Sequence, residues 1–224
     1  MKLLKTGKTK DVYDLGDGRY LLKLKDDATG KDGKFDPCEN SVGLTIEGLG
    51  RESLRMTKYY FEKINAAGIF THYLDCNLDD ATMTVRPATL FGQGFEVVCR
   101  LKAVGSFFRR YGEYCTEGQD LDFFVEVTLK NDALGDPPIT KDALAMLNIL
   151  SNDEYETLKA LTKKITALIR DDMAAKGLDL YDLKFEFGRV DGKIALIDEI
   201  SAGCVRVYKD GVWLQPMELA PYYA

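Results

Sequence analysis

Apolar and polar residues alternate through residues 180–187, LYDLKFEF, with a period of two. Strand side chains point to opposite faces in turn. Leu183, Phe185 and Phe187 therefore share one face, and Asp182, Lys184 and Glu186 share the other. A longer period governs residues 152–176. There Leu158, Leu161, Ile165, Leu168, Ile169 and Met173 recur at helical spacing, Ser151 and Glu154 form a capping box, and Gly177 stops the helix. A second helix is predicted over 53–67, with Leu54, Tyr60, Phe61 and Ile64 available for burial and Gly68 beyond its end.

Shorter segments read as strands. Residues 11–15 and 20–25 flank Gly16-Asp17-Gly18-Arg19, a hairpin signal. Further strands are predicted at 69–74, 82–86, 95–102, 123–129 and 194–200, and 26–36 reads as a polar loop. Strands and helices without strict alternation favour an α+β fold. The Gly-containing stretch 88–94 is the best hinge candidate, dividing the chain into lobes 1–90 and 91–224.

Composition narrows the function classes. The 224 residues include 36 acidic and 30 basic ones, a net charge of −6, and 46% are hydrophobic. That is enough to bury a core, and the acid surplus argues against a nucleic-acid partner. A single histidine excludes paired-His metal sites. Its setting, IFTHYL, reads as a strand, so His72 is expected to be structural or superficial. Cys38, Cys76, Cys99, Cys115 and Cys204 are odd in number and lack C-x-x-C spacing, as expected of reduced thiols in a cytoplasmic protein. No signal-peptide core and no apolar run of about 20 residues is present, so no membrane is expected as a partner.

Several pieces carry chemistry. The 194–200 segment is apolar on both faces until Asp198 and Glu199. Carboxylates ending a buried strand, beside a strand bearing Lys184 and Glu186, suit magnesium, which takes one or two carboxylates plus phosphate and water oxygens. A three-residue loop, Asp191 to Lys193, would pair Val190 with Ile194 and set Glu186 opposite Asp198; a two-residue loop would turn Asp198 to the core face. The first register is predicted. Gly7-Lys8-Thr9-Lys10 between two strands can cover phosphates. In RLKAVGS, Arg100 offers a fork, Ser106 a hydroxyl and Gly105 exposed backbone N–H groups, together suiting a phosphate monoester.

In order, GKTKDVY, KDDATG, RLKAVGSFFRR, LKNDALGDPPI, DLKFEFGR and IDEIS followed by Arg206 resemble the SAICAR synthase family from about Lys5 to Gly211. That resemblance implies an α+β fold of two lobes with antiparallel sheets and a nucleotide-binding cleft between them, distantly like ATP-grasp enzymes and kinases. It implies an ATP-dependent ligase that joins L-aspartate to carboxyaminoimidazole ribonucleotide (CAIR), with ATP and Mg²⁺, in a cytoplasmic homodimer. Carried over by position, Lys8 and Lys10 would contact ATP phosphates, and Glu186 and Asp198 would hold Mg²⁺. Arg100, Ser106 and Arg206 would grip the ribonucleotide phosphate. Asp182, Lys184 and Asp132 would line the reacting end. The adenine would lie near 91–97. Leu101 and Val104 depart from the family's usual Asn and Ala, the stretch after DEIS differs, and the usual final basic segment and helix are absent.

Overall fold

The computed structural model describes residues 1–37 and 41–223; Cys38 lies outside them. The chain forms two compact units. The first comprises Met1–Thr89, Arg189–Cys204 and Gln215–Ala224, and the second Leu90–Gly188 and Val205–Leu214. The first break falls inside the expected hinge. Two later stretches return to the first unit, however, so Asp198 belongs with Lys10 there.

The first unit is built on an antiparallel sheet in the spatial order Lys2–Thr6, Lys10–Asp14, Tyr20–Leu24, Thr82–Val85, Tyr73–Asn77. Its long helix, Leu49–Ala66, buries Leu54, Met56, Tyr60, Phe61 and Ile64. It starts earlier than its local sequence suggests, because the cap comes from afar. The Asp26 carboxylate accepts the backbone N–H groups of Gly48 at 3.0 Å and Gly50 at 2.9 Å, supplying partners that the first helical turn lacks. The stretch expected as a polar loop instead holds strands Asp27–Lys31 and Lys34–Phe35, which join Val42–Thr45 in a small sheet. Its backbones crowd too closely for side chains: a Cβ on Gly43 would lie 2.3 Å from the Gly30 carbonyl carbon. Gly-rich, polar strands of this kind carry no apolar alternation to read.

The strand expected over 69–74 begins its ladder only at Tyr73. Residues 70–72 bond elsewhere. Leu196 donates to the Phe70 carbonyl at 3.1 Å, and His72 N–H donates to the Leu196 carbonyl at 3.0 Å. Val190, Ala195 and Ile197 form a buried cluster with Phe70 and Ala88 against it. The chain end also packs in this unit. Gln215 and Glu218 cap the short helix Pro216–Leu219, and Tyr223 Oη meets Tyr60 Oη at 2.8 Å.

The predicted register of the late hairpin is corrected. Strand Asp179–Val190 ends at Val190 and the next starts at Lys193. Asp191 (φ 51°) and Gly192 (φ 75°) form the two-residue loop, the pair of positive φ values that matches strand twist. Parity still does not drive Asp198 into the core. The strand stops at Ile197, and Asp198 turns into the left-handed region at φ 68°.

In the second unit, strands Asp120–Leu129, Phe95–Lys102, Asp179–Val190, Val205–Lys209 and Val212–Trp213 lie side by side in that order. Val97, Cys99, Val125, Val127, Leu183, Phe185, Val205 and Val207 are buried. Helix Asn152–Ala174 packs on this sheet behind its Ser151–Glu154 capping box. Its buried stripe is rotated from the expected one. Leu161 and Leu168 are only half-buried, while Thr162 and Thr166 are buried with their hydroxyls donating to the carbonyls four residues back, each at 2.8 Å. Helix Gly105–Tyr111 follows the Phe95–Lys102 strand.

The pairing of Asp179–Val190 with Val205–Lys209 contains a bulge. Leu180 faces Val207, Asp182 faces Arg206, and Tyr181 is the extra residue. The bulge returns Leu180 to the core face.

Candidate functional site

The period-two pattern of residues 180–187 extends across the second unit's sheet. Arg100 pairs in register with Asp182, and Asp182 with Arg206. Three adjacent strands therefore place a row of alternating charge on one face. Asp182 Oδ2 accepts from Arg100 Nη1 at 2.7 Å and from Arg206 Nη1 at 2.6 Å. This face is not the solvated surface that strand alternation alone would suggest. Arg100 is 2% exposed and Asp182 3%.

Arg100 is held on all three nitrogens of its guanidinium. Nε and Nη2 reach Glu126 Oε1 at 2.8 and 2.7 Å, Nη2 also reaches Ser106 Oγ at 2.7 Å, and Nη1 adds the Val104 carbonyl at 3.5 Å. Glu126 is 7% exposed and also accepts from Arg110 Nη2 at 2.5 Å. Buried charges persist only when paired and hydrogen-bonded in this way. Glu126 and Arg110 were not singled out in the sequence. The alternation of FVEVTL places Glu126 among apolar residues, which is the signal that could have found it.

Gly105 is the hinge of this cluster. It sits at φ 57°, and a Cβ there would lie 2.6 Å from Arg206 Nη2 and 2.7 Å from its Cζ. Only glycine lets the guanidinium lie against the backbone here.

Four residues along from the Arg100–Asp182 pair, Glu96 and Glu186 face each other in register. Like charges so placed repel, and each has its own lysine: Lys184 Nζ to Glu96 at 2.7 Å and Lys130 Nζ to Glu186 at 2.5 Å. Lys130 and Glu96 are further residues the sequence reading missed. Asp132 lies exposed in the short helical turn Asp132–Leu134. Phe91, in the stretch expected near an adenine, is buried and stacks on Phe95 with ring centroids 5.4 Å apart.

The first unit holds a second cluster. Lys10 Nζ lies 2.8 Å from Asp198 Oδ1 and 3.4 Å from Glu199 Oε1. Lys10 opens the second strand, and Lys8 lies exposed in the turn before it. Glu199, named with Asp198 in the sequence, is 8% exposed and lies in the same group. His72, 4% exposed, directs Nε2 at the Asp198 carbonyl at 3.1 Å. Burial lowers the His72 pKa from 6.5 to about 4, against the opposing pull of Asp198, so the ring is neutral.

The donor set suits a hard cation. Asp198 and Glu199 present oxygen ligands held together by one ammonium. Among the described residues, no group of three or more His, Cys, Asp or Glu could hold a metal. An ion here would complete its shell with phosphate and water oxygens, as magnesium does. Among the described residues, no helix is long and apolar enough to cross a membrane.

Residues 3–216 match the SAICAR synthetase family model. The chain is 59% identical to the phosphoribosylaminoimidazole-succinocarboxamide synthase of Clostridium tetani, covering 98% of this chain and 97% of that one. A structural-genomics SAICAR synthetase shares 35% identity with a TM-score of 0.80, covering 92% of this chain and 86% of that one. A type-2 SAICAR synthetase solved in complex with ADP shares 29% identity and a TM-score of 0.81, covering 93% and 84%. The chain therefore belongs to the SAICAR synthetase family, ligases of purine biosynthesis.

Proposed function

We propose that the enzyme joins L-aspartate to the carboxylate of CAIR at the expense of ATP, through an acyl phosphate. A carboxylate oxygen is a poor leaving group. Transfer of the γ-phosphoryl group to it releases ADP and gives an acyl phosphate. The aspartate amine then attacks the carbonyl carbon, the C–N bond forms, the C–O bond to phosphate breaks, and the amine loses a proton. Such chemistry asks the protein for positioning and charge neutralisation more than for covalent participation.

The observation that carries the reading is the Arg100–Asp182–Arg206 row with Ser106 beside it, in a chain of this family. Arg100, Arg206 and Ser106 are assigned to the ribonucleotide phosphate. A phosphate arriving there exchanges with carboxylates that already hold the arginines. Asp182, Lys184 and Asp132 are assigned to the reacting end of the ribonucleotide. Lys8 and Lys10 are assigned to ATP phosphates; nucleotide binding as such is in keeping with the relative solved with ADP. Asp198 and Glu186 are the proposed carboxylate ligands of Mg²⁺. When bound, the ion supplies neutralisation of phosphoryl charge. Asp198 would hold the ion in place of its Lys10 partner, which would leave the Lys10 ammonium for phosphate.

The test is an ADP-release assay in which CAIR, aspartate and ATP are omitted in turn. Release should require all three. ADP release with CAIR and ATP but no amine would instead indicate a kinase.

A further inference from the structure

The single histidine has no part in the chemistry above, yet it touches the residue assigned to the metal. We propose that His72 is a positioning residue that fixes the backbone of Asp198 and so aims the Asp198 carboxylate at Lys10 and at magnesium. This inference rests on the metal assignment of Asp198.

The argument begins with Asp198 itself. It follows the last residue of its strand at φ 68°. A non-glycine residue in the left-handed region costs about 1–2 kcal/mol and persists where its surroundings hold it. Its carbonyl accepts from His72 Nε2 at 3.1 Å. A carbonyl can only accept, so Nε2 carries the proton and the buried ring is the neutral Nε2–H tautomer.

The ring is itself braced. His72 N–H donates to the Leu196 carbonyl at 3.0 Å, and Arg86 N–H donates to the His72 carbonyl at 2.8 Å. The Phe61 ring stands edge-on at 5.7 Å. One residue therefore clamps the incoming chain twice: through its main chain at Leu196, and through its ring at Asp198, where the strand departs. The fixed carbonyl leaves the Asp198 carboxylate directed at Lys10, 2.8 Å away. A histidine that merely filled the core would affect stability and leave metal dependence alone.

Two measurements test this. The untagged protein has one histidine, so a long-range ¹⁵N–¹H correlation spectrum reads a single ring. The Nε2–H tautomer is expected at neutral pH; an Nδ1–H tautomer or an imidazolium overturns the proposal, and this needs no variant. Calorimetry of ADP binding with and without Mg²⁺ then compares wild type, His72→Leu, His72→Gln and Asp198→Asn. His72→Leu should bind ADP normally without metal yet lose about 10–100-fold of the tightening that Mg²⁺ gives, the usual cost of removing a group that orients a metal ligand. His72→Gln, whose amide N–H can stand where Nε2 stands, should recover most of it. If folded His72→Leu keeps the full metal gain while Asp198→Asn loses it, the positioning role is wrong and the metal assignment survives. If Asp198→Asn keeps the gain, the metal assignment fails and this inference fails with it. If His72→Leu does not fold, loss of the metal gain in folded His72→Gln overturns the proposal.

Discussion

Replacing Gly105 with alanine separates backbone strain from damage to the charged row. Gly105 sits at φ 57°, and the new Cβ would start 2.6–2.8 Å from three atoms of the Arg206 guanidinium. Real contacts of this kind begin at about 3.4–4.0 Å, so the guanidinium must withdraw by close to 1 Å. The Arg206–Asp182 contact at 2.6 Å then lengthens past the range of a hydrogen bond. Placing alanine in the left-handed region costs about 1–2 kcal/mol. Complete loss of a buried ion pair costs about 3–5 kcal/mol, but Asp182 retains Arg100, so roughly half of that applies.

Gly118 supplies the control. Its φ is 75°, and nothing lies within 4 Å of a Cβ built there. Gly118→Ala should therefore cost the strain alone, about 2–8 °C in Tm for a chain of this size, and Gly105→Ala about 5–18 °C. Steady-state ADP release gives the second readout. A hydrogen bond to a charged group contributes about 1.5–3 kcal/mol, so displacing Arg206 should raise KM for the ribonucleotide about tenfold to a hundredfold. Gly118→Ala should leave KM unchanged. If Gly105→Ala melts with Gly118→Ala and keeps the wild-type KM, Arg206 does not depend on the space that glycine provides.

Asp198→Asn should cut turnover by orders of magnitude, with folding stability changed by only about 1 kcal/mol because the Lys10 pair is partly solvated; near-normal turnover refutes its role. Arg100→Ala takes from each of Glu126 and Asp182 one of its two arginines, so at about half the cost of a lost buried pair for each, urea unfolding should show a loss of about 3–5 kcal/mol, and an unchanged midpoint would refute the buried network. His72 gives a pH dependence of stability. Its folded pKa of about 4 lies below the unfolded 6.5, so the unfolded chain binds the proton first as pH falls. The contribution is intact above pH 6.5 and is lost between 6.5 and 4, about 3 kcal/mol in all. Unfolding free energies in EDTA, wild type against His72→Gln, should diverge across that window, and parallel curves would sink the assignment.

Local chemistry made the elements legible where the signals were local. The Ser151–Glu154 box, the strand over 95–102 and the alternation through Phe187 all stand in the structure as the sequence implies. Readings failed where the determining partner was distant. The first helix is capped by Asp26, more than 20 residues away. The 27–45 sheet is specified by the close approach of Gly30 and Gly43, which leaves no apolar period. Strand parity could not foresee that Asp198 leaves the ladder, because that departure depends on a bond from His72, 126 residues earlier. The site was legible as residue types and less so as pairs. Arg100, Asp182 and Arg206 were all singled out, but Glu126, which fixes Arg100, reads as one more polar position on an alternating strand.

The pairing explains how an acidic chain can run on anions. On the proposed reading, the cations of the phosphate sites rest on carboxylates of their own unit: Lys10 on Asp198 and Glu199, Arg100 on Asp182 and Glu126, Arg206 on Asp182. A bare buried cation would be expensive, and the pairs remove that cost before substrate arrives. Binding is then an exchange of partners. Asp198 would turn to a bound cation as Lys10 turned to the nucleotide phosphates, so that each would keep an opposed charge. Selectivity follows from what can complete both sides of the exchange. A simple anion can take the lysine but leaves the carboxylate without a cation, so it gains little over the resting pair. A metal–polyphosphate complex satisfies both at once. The −6 net charge thus works with the chemistry, because carboxylates hold each of these cations in an internal pair until a ligand of the right composite charge replaces it.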